Sequence, residues 1–111
     1  MSETMVRRPE ARNDWTAHLY KILDNGKWVT VDDIVKRAGK HVPEDRAIAF
    51  QTHKRGVQTR FTHDELVAKG RRYLIRDILS REARRHTNLS ECKIEGVKDP
   101  KGMWVAFRSR W

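Results

Sequence analysis

A long apolar phase in the second half of the chain constrains the fold most. Leu66, Val67, Gly70, Leu74, Ile75, Ile78 and Leu79 stay nearly in step with a helical period. Thr62 and Glu65 form a capping box ahead of them. One helix from about Thr62 to Arg85 is therefore predicted, in preference to two helices broken at Gly70. A glycine inside a helix costs about 1 kcal/mol relative to alanine, so Gly70 is expected where a second backbone approaches closely. Leu74, Ile75, Ile78 and Leu79 mark the buried face. Arg72, Arg76, Ser80 and Arg84 recur every fourth residue and are read as the opposite, outer side. Two strand-like runs follow, 93–98 and 103–108, joined by the turn signal Asp99-Pro100-Lys101-Gly102.

Upstream, residues 1–12 are polar, charged and aperiodic, and are read as a flexible arm. A tail without a role is one reading; basic side chains Arg7, Arg8 and Arg12 entering a minor groove is the other. Asn13 or Asp14 can cap a first helix with Trp15, Leu19, Ile22 and Leu23 inward, ended by Asn25-Gly26. Lys27-Trp28-Val29 suits only a small strand. Thr30 and Asp33 resemble a capping box for a short helix bearing Val31, Ile34, Val35 and Ala38, with Gly39 closing it at a position where φ is often positive. Pro43 is placed to begin a third helix, with Glu44 and Asp45 suiting its positive end. Ala47, Ile48 and Phe50 give that helix a weak apolar side. It runs out into a basic loop, 54–60.

The fold class is accordingly mainly α with a small β-hairpin (α+β), in one domain over 13–111. The 111 residues include 24 Lys and Arg against 15 Asp and Glu, a net charge of +9. Residues 1–53 carry net +1, 54–86 carry ten basic and four acidic residues for net +6, and the remainder carries net +2. Such clustering suits a polyanionic partner better than a charge kept for solubility, though a merely basic solvated surface is the plainer alternative. The single cysteine, Cys92, excludes an intramolecular disulfide within the chain and fits a reducing compartment. No apolar run approaches the roughly 20 residues that span a bilayer, and Met1 to Arg12 lacks the apolar centre of a secretory signal. The sequon at Asn88-Leu89-Ser90 is read as chance, and a cytoplasmic location is expected.

The element order resembles the winged helix-turn-helix family, in which helix, strand, helix, recognition helix and wing succeed one another. The resemblance covers about 14–108, with 40–61 as an inserted helix and basic loop and 93–108 as the wing. Gly26-Lys27-Trp28-Val29 leading into Val31–Ala38, the Val42-Pro43 step, and Lys69-Gly70-Arg71-Arg72 also resemble small helix-turn-helix proteins of actinobacteria and their phages. The resemblance implies binding of double-stranded DNA, sequence-specific or architectural, in the service of transcriptional regulation. Residues 70–86 would enter the major groove, where arginine can hydrogen-bond guanine O6 and N7. Helix 43–53 competes for that role by its place after the second helix, but it is expected to expose Glu44, Asp45 and Gln51, a poor face for phosphates.

The expected contacts are Arg71, Arg72, Tyr73, Arg76 and Ser80 on the helix, with Arg84 and Arg85 further along on phosphates. Lys98 and Lys101 flank the wing turn, and Lys54, Arg55 and Arg60 lie in the loop that would clamp the duplex. For Tyr73, packing against the first helix is an equal alternative. Trp15 and Trp28 are expected in the core. Trp104 is expected there too, although Trp104 and Trp111 also suit stacking on single strands. His18, His41, His53, His63 and His86 have no zinc-site spacing, the glycines form no phosphate loop, and Asp32-Asp33 and Asp64-Glu65 sit at helix starts where capping accounts for them. No cofactor, metal or enzymatic activity is expected. The rival class is a protein–protein adaptor, a phage or bacterial product binding a host protein, which an exposed apolar patch at the hairpin would favour. Monomer and homodimer are equally compatible with the sequence.

Overall fold

In the computed structural model of the chain, which describes residues 8–84 and 93–111, each of the first helices begins at a side-chain cap. The Asn13 side chain accepts from the Thr16 N–H at 3.0 Å and opens α1 (Asp14–Ile22). The chain turns through Gly26, whose φ of 70° favours glycine, into the two-residue strand β1 (Val29–Thr30). Thr30 then caps α2 (Val31–Ala38), accepting from the Asp33 N–H at 3.2 Å. Gly39 does not close that helix with a positive φ; at −57° it continues into a short 3₁₀ turn, Gly39–His41. Pro43 stands one place earlier than expected, as the N-cap of α3 (Glu44–Arg55). Lys54 and Arg55 are thus the last residues of this helix, and the loop starts at Gly56, with φ of 74°.

The predicted long helix is present as α4 (His63–Arg84), unbroken at Gly70. Thr62 and Glu65 make the reciprocal capping contacts, at 3.2 Å from the Glu65 N–H to Thr62 and 3.3 Å from the Thr62 N–H to Glu65. Gly70 is buried, and a Cβ placed on it would collide with the backbone carbonyl of Ala47 in α3. The two helices therefore touch backbone to backbone, as the glycine suggested, and α3 packs extensively on α4 alone.

The hairpin is one part of a larger sheet. β2 (Ile94–Lys98) pairs antiparallel with β3 (Trp104–Ser109), and β1 pairs with the other edge of β3, giving the order β1-β3-β2. In the turn, the Asp99 side chain accepts from the N–H groups of Lys101 and Met103, both at 2.9 Å, and Gly102 takes φ of 85°. One face of this sheet, through Ile94 and Phe107, closes the core against Leu19, Leu23, Val31, Ile34, Ile75 and Leu79, all at or below 1% exposure. The Ser109 hydroxyl donates to the Leu23 carbonyl and fixes β3 to the end of α1.

Not every core expectation holds. Trp28 is 47% exposed on the sheet, beneath the Arg108 guanidinium at 4.7 Å, because β1 begins one residue later and leaves it outside. Ile78, like Ile22, is only half-buried, whereas Tyr20 is buried. Gln51, expected on the exposed side of the third helix, is instead buried, donating to Gln58 at 3.2 Å and tying α3 to the following loop. Among the described residues no helix is long and apolar enough to cross a membrane. Arg7, Arg85, His86, Cys92 and the 88–90 sequon lie outside the described residues. Arg8, by contrast, lies on α1, donating to the Ala17 carbonyl at 3.1 Å.

Candidate nucleic-acid interface

The stripe read as Arg72, Arg76, Ser80 and Arg84 does not exist as one outer face. Arg72 is paired with Asp32 of α2. Arg84 donates back to the Ser80 carbonyl at 3.3 Å. Ser80 is 4% exposed, its hydroxyl bonded to the Asp77 carbonyl at 3.0 Å, so it is a buried wall and not an outer contact. Arg71 donates to the Val42 carbonyl at 2.9 Å and locks α4 to the chain ahead of α3.

A different stripe takes its place. Lys69, Tyr73, Arg76 and Ser80 follow one another at i, i+4, i+7 and i+11, the spacing of a single helical face. Beside it runs the C-terminal end of α3, with Phe50, Lys54 and Arg55. Across its far end stand Lys98 and Trp104 of the hairpin. Phe50, Tyr73 and Trp104, with Lys54, Arg55, Arg76, Asp77 and Ser80, line a groove of about 300 Å³ where the three elements meet.

Six cations along this strip rest on aromatic rings. Arg60 and Lys69 sit over Phe61 at 4.8 and 4.7 Å, Arg55 and Arg76 over Tyr73 at 5.3 and 5.9 Å, Lys54 over Phe50 at 5.6 Å, and Lys98 over Trp104 at 4.8 Å. Each such contact is worth roughly 0.5–1 kcal/mol at an exposed site and restrains the side chain without neutralising its charge. Among the described residues none of the six makes an ion pair with a carboxylate, although Asp77 lines the groove and Asp32 and Asp99 act on Arg76 from farther off. Elsewhere Arg8, Arg37, Arg81, Arg108 and Arg110 each make one, with Asp24, Asp33, Asp77, Glu95 and Glu95.

Arg76 is the most constrained of the six. It is half-buried, and its Nε is covered and has no hydrogen-bond partner. Desolvation in the groove, then repulsion from Arg72, lowers its pKa from the usual guanidinium value; Tyr73, Asp32 and Asp99 pull the other way. The side chain stays charged.

Of the residues expected from sequence, Lys54, Arg55, Tyr73, Arg76, Ser80 and Lys98 are brought together here, and Arg60 joins through Phe61. Lys101 is exposed in the hairpin turn and makes no side-chain contact with the groove. Lys69, Phe50 and Phe61 were not anticipated; the i, i+4 step from Lys69 to Tyr73 was the available signal. Tyr73 packs against α3 and not α1. Trp104 is half-buried, stacked on Phe107 at 5.7 Å, and Trp111 meets Tyr20 edge-on at 5.9 Å while its indole N–H donates to Asp24 at 2.8 Å. Among the described residues there is no group of three or more potential metal ligands. No family model, curated protein or solved structure matches the chain, so the reading of function rests on geometry and charge.

Proposed function

We propose that this protein is a winged-helix module that binds double-stranded DNA across the strip from Phe61 to Trp104, with regulation of transcription as the role such binding serves. The winged-helix reading is supported by three features: β1 lies between α1 and α2 and pairs with β3, α2 packs on α4, and the hairpin follows α4 directly. α3 is then an added helix flanking the recognition helix α4. The observation that carries the DNA reading is the row of six cations held on rings and not ion-paired to carboxylates among the described residues. Cations so arranged are available to phosphates at little further loss of side-chain freedom.

Release of condensed counterions makes such binding fall steeply with salt. Affinity for a labelled duplex, measured at several salt concentrations, is expected to give a log–log slope of about −5 if all six cations meet phosphates. No binding at low salt removes the reading.

The alternative, a protein-binding adaptor, is favoured by one observation. Trp28, Val97, Met103 and Val105 are 47, 44, 49 and 38% exposed, all on the sheet or its turn. Capture of a protein partner that is lost on Trp28→Ser and Val97→Ser, without loss on Arg55→Ala, supports that reading instead.

A further inference from the structure

We propose that the groove between α3, α4 and the hairpin is a phosphate seat, in which Arg76 is a backbone-phosphate contact and not a base reader. This rests on the DNA-binding reading and assigns its central residue.

Three observations combine. First, the guanidinium of Arg76 carries five N–H donors, yet it makes no hydrogen bond or ion pair among the described residues and its Nε is covered. The covered Nε donor has no acceptor inside the protein, and the groove it lines is open to one from outside. Second, Arg55 shares the Tyr73 ring with Arg76, and Lys54 lines the same groove, so like charges converge from two helices without an ion pair to any of them. Lys98, over Trp104, adds a fourth charge from the hairpin. The carboxylate in the wall, Asp77, is taken by Arg81 at 3.1 Å and leaves the positive excess uncancelled.

Third, the placement of Arg76 favours a phosphate over a base. A base reader must extend from the helix into the major groove, whereas the Arg76 guanidinium lies over the Tyr73 ring, 5.9 Å from its centroid, and lines the groove together with Lys54 and Arg55. The ligand is thus a tetrahedral phosphate oxyanion; a backbone diester and a free phosphate ion share that chemistry.

The test uses the full chain. Duplex affinity is measured over a salt series for the parent, Arg76→Ala and Arg76→Lys, together with site selection from a random duplex pool. In parallel, inorganic phosphate is titrated into free protein while the Arg side-chain N–H resonances are followed. The seat predicts that Arg76→Ala lowers affinity about tenfold on every sequence alike and makes the salt slope shallower by about one, with selected sites unchanged. Arg76→Lys is expected to regain the slope, and unchanged melts of both variants show that folding is not the cause. A changed site preference with an unchanged slope overturns the seat and returns Arg76 to base reading. If the parent binds no duplex, the DNA reading itself has failed and the phosphate arm decides the seat separately. Saturable shifts of the Arg76 resonance then assign it to free phosphate, and no shift refutes it.

Discussion

Replacing Gly70 by alanine opposes two effects whose signs differ. By helix propensity alone, Gly70→Ala in the middle of α4 stabilises by about 1 kcal/mol. Packing acts against it. The added Cβ would collide with the carbonyl of Ala47, and its distance to the Ala47 Cα is 3.0 Å. The obstacle is backbone of a fully buried residue, so no side chain can rotate away and α3 must move as a body. Overpacking of ordinary cores costs about 1–3 kcal/mol, and an immovable neighbour places this case at the upper end. The net is a loss of about 2 kcal/mol, or roughly 8–16 °C in Tm for a domain of this size. Circular-dichroism melts of parent and Gly70→Ala measure it. Because α3 carries Lys54 and Arg55, its displacement should also weaken duplex binding at temperatures where the variant is still folded. A variant that melts at or above the parent would show that the two backbones do not meet at Gly70, and the strip would lose its α3 edge.

Two further perturbations probe the core and the pH response. Ile75→Asp should abolish the cooperative melt, since it places a carboxylate at a fully buried position, while Ile78→Asp, half-buried, should leave a folded domain with a lowered Tm; equal damage from the two would contradict the helical phase. His41 stacks on His18 with ring centroids 3.7 Å apart, and desolvation, then the charges of His18 and Lys40, lowers its pKa from the ordinary 6.5. The unfolded chain therefore takes up the proton first, so stability present above about pH 6.5 is lost progressively as pH falls from there through the lowered folded value. Urea midpoints at pH 5 and pH 7.5 should differ less in His41→Gln than in the parent, and an equal difference would remove His41 as the cause.

The parts of the fold legible in the sequence are those set by neighbours along the chain. Asn13, Thr30 and the Thr62–Glu65 box fix three helix starts because a cap acts within three residues. Gly70 announced a close approach because nothing else justifies glycine mid-helix. What was misread has equally physical causes. A run at every fourth residue creeps around a helix by about 40° per step, so Arg72 and Arg84 end about 120° apart and share no face. The true stripe uses steps of four and three. Trp28 is exposed against expectation because a two-residue strand gives too little pattern to show which side is covered. The partners Asp32 of Arg72 and Val42 of Arg71 are remote in sequence, and no local period reveals that these arginines are already engaged. The strip became visible only once α3, α4 and the hairpin were side by side.

The most direct test of the account follows the backbone amide and indole N–H resonances of the protein while a DNA duplex is added at low salt. Trp104 and Trp28 are internal reporters, one at the end of the strip over which Lys98 sits, the other on the sheet beneath Arg108. The Trp104 indole and the amides of Arg55, Lys69, Tyr73, Arg76 and Lys98 are expected to shift with a common saturation curve, while the Trp28 indole stays in place. Shifts confined to Trp28, Val97 and Val105, or a spectrum unmoved by duplex, would contradict it.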